Sequence, residues 1–442
     1  MQKIFGFISL GCDKNRVDGE RILGEIRAHG CPVTDDLSKA QVLVINTCAF
    51  LNAARQEAID TILEGHAYRS GALEKIVVSG CLPEKFVGEL YPALTEADVF
   101  LGISDASELF PALEKAYAGE RVNAVGQGTS EHRPRVVSTP NHLKYLKIAE
   151  GCSNHCTYCM IPKIRGKYRS YPMDALVKEA ASLGKTEELV LVAQDVTRYG
   201  EDKGENQLVA LLQALTALEN ITRVRLLYCY PEKITDELIR EVRDNPKIIK
   251  YLDIPLQHSE DRILKLMGRR GTRREYLELF AKLRQQIPEI ALRTTFIAGF
   301  PTETEEEHCA LMDFLREAKL TNCGFFAYSR EPDTPAYSMK GQVHASTKKR
   351  WVKELYATQA KIAADFTERF VGKTVEVLCD GFDPVRGCYV GRAYFQAYEI
   401  DGEVCFTAGH AEQGKYYTVR VEHADIYDLY GISEGERYEF AE

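Results

Sequence analysis

The chain has no apolar run long enough to cross a membrane. A helical span requires roughly 20 consecutive residues, and stretches such as VLVIN (42–46) and IVVSG (76–80) fall far short of that. The N-terminus, MQKIFGFISLGC, has no apolar segment followed by a small-residue cleavage site, so no export signal is expected and the chain is read as cytoplasmic. Positive charge is also in deficit. A net charge of −9 is the wrong sign for a protein that grips nucleic acid mainly through phosphates, and RNA binding is not expected. Internal repeats and low-complexity tracts are missing, and 45% hydrophobic with 27% charged residues is the composition of a globular protein. At 442 residues the chain exceeds one ordinary domain. What it does have is thirteen cysteines, which in a reducing compartment are read as core thiols, metal ligands or redox groups rather than disulfides.

Residues 1 to about 100 alternate strand-like runs (KIFGFIS, AQVLVIN, KIVVSG) with helical periodicity (RILGEIRAHG, ARQEAIDTILEGH), an order that predicts a parallel sheet with covering helices. The polar, Pro-bearing stretch 126–142 reads as a linker. From 143 to about 330 six strand candidates recur between helical segments: YLKIAE, LVLVAQ, RVRLLYCY, YLDIPL, LRTTFIAGF and CGFFAYS. Six such units predict a partial (β/α) barrel. A long helix is expected over 346–370, and the remainder reads as a small β-barrel or sandwich in which Asp401-Gly402 of YEIDGEVCF suits a hairpin turn. The fold class is therefore α/β with an added β-domain.

EGCSNHCTYCMIP (150–162) sets Cys152, Cys156 and Cys159 in a C-x3-C-x2-C pattern just past the first barrel strand, at the end of the strand where such barrels place chemistry. Three thiolates on one loop select zinc or an iron-sulfur cluster. Structural zinc wants four ligands, and His155, wedged beside Cys156, is poorly placed to be the fourth. Electron-transfer clusters also complete a set of four cysteines, so a three-cysteine cluster keeps one iron open for chemistry. A zinc knuckle or incidental core thiols remain the alternative. A second trio is more dispersed: Cys12, Cys48 and Cys81 each follow a predicted parallel strand, at the edge where ligands of open α/β sheets gather. Any one of them alone would be read as a packing residue.

CSNHCTYC resembles the radical S-adenosylmethionine (SAM) signature, with Tyr158 in its aromatic position. That resemblance implies a [4Fe-4S] cluster whose open iron is chelated by SAM, and a 5′-deoxyadenosyl radical formed when SAM is cleaved. Together with SLGCDKNRVDGE, INTCAF, SGCLPE, VAQDVTRYG and RTTFIAGFPTETEEEH, it makes the whole chain similar to the methylthiotransferases. Their organisation implies an N-terminal domain at 1–136 with an auxiliary [4Fe-4S] cluster on Cys12, Cys48 and Cys81, a radical SAM core at 137–368, and a TRAM domain at 369–442. It also implies two SAM per turnover, one as methyl donor and one as radical source, with a reductant and a sulfur source as further partners. Gln194, Asp195 and Arg293, at or near barrel strand ends, are candidates for contact with SAM or the target; polar barrel groups that satisfy one another are an equal account. GFPTET (299–304) is assigned a structural role.

Two branches of that family differ in substrate. SLGCDKN resembles the Ser-Leu-Gly-Cys-Pro-Lys-Asn run of the branch that modifies the β-carbon of an aspartate in small-subunit ribosomal protein twelve, more than the Tyr-Gly-Cys-Gln-Met-Asn run of the branch that modifies a tRNA adenosine. Asp13 stands in place of the Pro, and Gly19 in place of a Ser. Residues 372–442 hold six basic and fourteen acidic side chains, a net charge of −8. Such a TRAM domain repels RNA and attracts a basic ribosomal protein, so the protein substrate is expected and tRNA is the alternative.

Overall fold

Alternation of apolar runs with helical segments produces what the sequence predicts in the first hundred residues, and the computed structural model describes residues 2–129 and 134–436. Strands β1 (Phe5–Ser9), β2 (Val33–Thr34), β3 (Val42–Thr47), β4 (Lys75–Gly80), β5 (Val99–Phe100) and β6 (Val122–Asn123) form a sheet in the order β2-β1-β3-β4-β5-β6. All of its pairings are parallel. β3 is buried along its whole length because helices cover both faces, which is why it reads as unbroken apolar sequence. Helices α1 (Asp13–Ala28), α2 (Asn52–His66) and α3 (Cys81–Ala93) follow β1, β3 and β4. Residues 130–133 of the expected linker lie outside the described residues. Beyond them the chain is pinned, since Arg135 donates to Glu20 (2.7 Å) and the Ser138 hydroxyl to the same carboxylate (2.9 Å).

The second sheet is a curled array of six parallel strands: β7 (Leu143–Lys147), β10 (Thr186–Val192), β11 (Ile221–Leu226), β12 (Ile248–Asp253), β13 (Ala291–Ala298) and β14 (Asn322–Ala327), with a two-stranded ribbon of β8 (Ala149–Glu150) and β9 (Arg169–Ser170) beside it. β7 and β14 are its free edges, so the barrel is partial. The long helix expected after the last strand runs over Ala345–Thr367. No helix among the described residues is long and apolar enough to cross a membrane.

β15 (Thr374–Asp383), β16 (Cys388–Arg392), β17 (Val404–Thr407), β18 (Tyr416–Ala424) and β19 (Leu429–Glu436) close into a five-stranded barrel, antiparallel except for the β17–β19 seam. The hairpin expected at Asp401-Gly402 does not form: β17 pairs with β16 across an irregular crossing. The Asp401 carboxylate is instead drawn inward, accepting from the Tyr251 hydroxyl (2.7 Å) and lying 3.4 Å from Arg293. A buried ion pair outweighs a local turn preference. The barrel shares a core with the inner face of the curled sheet, where Tyr145, Val190 and Tyr251 pack with Val377, Phe395 and Val419. It thereby plugs the sheet at the beginnings of its strands and leaves their C-terminal ends for the site.

Candidate active site

The loop carrying Cys152, Cys156 and Cys159 leaves the sheet after β8 and is tied to its neighbours by backbone. Thr157 N–H donates to Met267 O (2.9 Å), and Ala336 N–H donates to Thr157 O (2.9 Å). Gly268, at φ +72°, permits this approach, because a Cβ there would meet His155 O at 2.6 Å. The three thiols lie within one another's electrostatic reach. Cys152 accepts from Asn154 N–H (3.4 Å) and Cys159 from Ile161 N–H (3.4 Å), while the Cys156 sulfur lies 3.0 Å from the Tyr230 hydroxyl. His155 is exposed on the loop's outer side. Tyr158 packs toward a small core of Ile263, Met267, Phe300 and Tyr328.

Cys12 caps the start of α1, Cys48 follows β3, and Cys81 opens α3, so the dispersed trio does gather at the C-terminal edge of the first sheet. Their thiols too are in electrostatic reach of one another. Gly11, at φ +95°, brings the first loop against the second, since a Cβ there would meet the Cys48 Cβ at 2.8 Å. Asn15 fastens the same loops, donating to Leu10 O (2.7 Å) and Thr47 O (3.2 Å).

Burial pushes the Cys152 thiol up to about 11 and the Cys81 thiol up to about 12, the latter against the pull of Arg165. These sulfurs are therefore protonated when nothing is bound, and a metal must displace the protons. Among the described residues no three His, Cys, Asp or Glu side chains close tightly enough to hold a single metal ion. The case for a cluster thus rests on donor chemistry: three soft thiols on each side, backbone N–H groups on two of the sulfurs, and an unspent amide close by. That amide is Gln194, whose Nε2 and Oε1 are both buried with no partner among the described residues. A buried amide without partners is costly unless a ligand completes it. Asp195, next to it, is already committed: its Oδ1 accepts from Thr197 N–H (3.1 Å) and its Oδ2 from Asn154 Nδ2 (3.0 Å), which fixes the cysteine loop. Arg293 is likewise engaged, donating to Asp253 (2.8 Å) and pairing with Asp401, so it joins the curled sheet to the C-terminal barrel.

Two groups that sequence reasoning passed over connect the trios. Arg165 donates to the Cys81 sulfur (3.2 Å) through Nη2 and to Asp18 (2.9 Å) and Glu150 (3.1 Å) through Nη1. Lys147 completes the buried network by contacting Asp18 and Glu150 (2.7 Å). The loop after β11 does the same from the other side, since Tyr230 touches Cys156 while Tyr228 reaches Asp13 (3.3 Å), next to Cys12. The lone Arg of IPKIRG (161–166) and the two tyrosines of LYCY (227–230) are the only signals the sequence offers for them.

Residues 146–315 match the radical SAM superfamily, residues 4–102 the uncharacterized protein family UPF0004, and residues 371–433 the TRAM domain. The ribosomal protein uS12 methylthiotransferase RimO of Lachnoclostridium phytofermentans is 44% identical over 98% of this chain and 100% of its own. RimO of Clostridium botulinum is 42% identical, covering 98% of each chain, and RimO of Geobacter sulfurreducens is 41% identical over 96% of this chain and 97% of its own. Among solved structures, the radical SAM methyltransferase TsrM from Kitasatospora setae aligns with a TM-score of 0.57 at 14% identity, over 84% of this chain and 79% of that one, a likeness of fold.

Proposed function

Because the chain belongs to the ribosomal protein uS12 methylthiotransferase (RimO) family, we propose that it replaces a β-hydrogen of an aspartate of ribosomal protein uS12 with SCH3, using one SAM as methyl donor and a second as radical source. The observation that carries the reading is the convergence of two three-thiol groups, one per domain, joined by Arg165 and by the Tyr228–Tyr230 loop. A tRNA adenosine, the alternative substrate, is not favoured by these relatives.

In this reading Cys152, Cys156 and Cys159 hold the radical SAM [4Fe-4S] cluster, and Cys12, Cys48 and Cys81 hold an auxiliary one. When bound, the first supplies an open iron for SAM and the electron that cleaves it, and the second supplies an iron on which sulfur is presented. The Gln194 amide offers its NH2 as donor and its carbonyl oxygen as acceptor to the polar groups of SAM. Asp195 acts through Asn154, as a positioning residue for the Cys152–Cys156 loop. Arg293 is proposed to hold the sheet end rather than to touch SAM. A reductant and a sulfur source are required from outside, and the cytoplasm, where ribosomal proteins are made, is the proposed setting. The acidic TRAM barrel is the proposed docking surface for uS12.

Deletion of the gene, followed by intact-mass measurement of uS12 and nucleoside analysis of bulk tRNA, tests the reading. Loss of one SCH3-for-H increment from uS12 is expected. An unchanged uS12 mass with loss of methylthioadenosine from tRNA would transfer the activity to the alternative substrate.

A further inference from the structure

Lys14 lies in the first turn of α1, two residues after Cys12, and is 7% exposed. Its Nζ stands 3.1 Å from the centroid of the Tyr228 ring. Among the described residues no acceptor takes a hydrogen bond from it and no carboxylate forms an ion pair with it. Lys147, equally buried, shows the contrast, being clasped by Asp18 and Glu150. An ammonium removed from water, with an aromatic ring against it and Cys12, Asp13 and Asp253 acting on it only through space, is short of an anion in contact.

Its surroundings indicate which anion. Tyr228 is held at φ +61°, with its N–H on Asp253 (3.0 Å) and its hydroxyl toward Asp13, and two residues later Tyr230 touches Cys156. Backbone in this region is uncommon for a non-glycine residue and gathers at functional sites. Asp253 is spent on Arg293 and on the Tyr228 N–H, and Asp13 meets the Tyr228 hydroxyl, so neither acid hydrogen-bonds the lysine. The ammonium therefore stands beside Cys12 and on a ring of the loop whose Tyr230 touches Cys156, on the way between the thiol that follows the first sheet and the cysteine loop of the second. We propose that Lys14 receives the side-chain carboxylate of the substrate aspartate and so sets the adjacent β-carbon between the two sites. This rests on the function proposed above.

The test is the binding of two labelled peptides to the reconstituted full-length protein, read by fluorescence anisotropy. One carries the target aspartate of uS12 and the other asparagine in its place. The wild type is expected to prefer the aspartate peptide by about 10- to 100-fold, the range of a charge-assisted hydrogen bond. Lys14→Met is expected to bind both peptides alike, and Lys14→Arg to keep part of the preference. A Lys14→Met protein that still discriminates overturns the proposal. So does one whose SAM affinity falls as far as its peptide affinity, because the ammonium would then serve the carboxylate of SAM. Should Lys14→Met fail to fold, Lys14→Gln, which keeps a polar side chain without the charge, takes its place, and undiminished preference there is equally decisive against the assignment. Failure of the wild type to methylthiolate the aspartate peptide would count against the function, whereas the Lys14 assignment is judged by the preference alone.

Discussion

Arg165 has 8% of its surface exposed, and burial opposes its charge, but the Cys81 sulfur once it is a thiolate, with Glu150 and Asp18, more than offsets that cost and holds the guanidinium protonated. Arg165→Leu would leave Asp18 and Glu150 sharing only Lys147. Stranding a buried charge in this way costs about 3–5 kcal/mol, so a clear drop in Tm is expected by calorimetry, with Arg165→Lys falling between because an ammonium cannot span three partners. A leucine variant that melts with the wild type would show that the network carries no load. The cysteines should separate by site. Cys156→Ala is expected to abolish deoxyadenosine release from SAM, and Cys48→Ala to retain that release while losing methylthiolated product; product from Cys48→Ala would remove the second trio from the mechanism. Away from the site, Thr302 stands at φ +70°, in the left-handed region that favours Gly. Relief of that strain, less the flexibility Gly adds to the unfolded chain, predicts about 0.5–1 kcal/mol of stabilisation for Thr302→Gly, measurable by urea unfolding.

At the level of elements, the join between β10, β11 and the C-terminal barrel is ionic. Arg392 donates to Glu188 (2.8 Å) and Asp380 (2.7 Å), Arg225 to Glu188 (2.6 Å), and His142 lies 2.8 Å from Asp380. Burial pushes both carboxyls up, but Arg225 and Arg392 around Glu188, and Arg392 with His142 around Asp380, outweigh it and hold them below their ordinary values of 4.5 and 3.8. Depressed carboxyls stabilise the fold above those values, and the contribution is lost as pH falls through the still lower folded ones. Asp401 runs the other way, its carboxyl raised by burial. The wild type is therefore expected to lose Tm steeply below about pH 4.5, and Arg392→Met, already destabilised, to lose less over the same interval; parallel curves would exclude this join as the acid-sensitive element. The strands themselves were legible, because parallel strands covered on both faces must be apolar, and thiols at their C-terminal ends follow from the topology. The hairpin at Asp401 was misread because Arg293 and Tyr251, far away in sequence, claim the carboxylate. Tyr230 and Arg165 were invisible for the same reason: their roles arise only once the sheets dock. The departures at Asp13 and Gly19 are clearer in three dimensions, since Asp13 meets the Tyr228 hydroxyl and a Cβ on Gly19 would press the Asn46 amide at 2.8 Å.

For the whole molecule, the charge excess divides into two uses. Of the acids in the C-terminal segment, Glu376, Asp380 and Asp401 face inward to Arg223, His142 and Arg293, and so bind the barrel to the rest of the chain, while Glu399 pairs with Arg16 at the exposed rim of that join. Those charges are spent on assembly and offer little to a partner. Glu412, Glu422 and Glu434 remain exposed on the far side, around β18 and β19, where Arg420 lies 3.3 Å from Glu422 and 3.4 Å from Glu434. If uS12 docks by charge, this outer group must carry the attraction, and it acts through water, so it should be screened within about 8–10 Å at physiological salt. Glu412→Lys, Glu422→Lys and Glu434→Lys combined are then expected to weaken uS12 binding about 10-fold at low ionic strength, mostly through a slower association rate, and to flatten its dependence on salt. Reversing Glu376 and Asp380, by contrast, should lower Tm before it alters the salt dependence. Stopped-flow association across a salt series separates the two. Identical slopes for wild type and the triple variant would mean that uS12 is held by shape at the strand ends, and that the acidity of the barrel serves only to fasten it to the curled sheet.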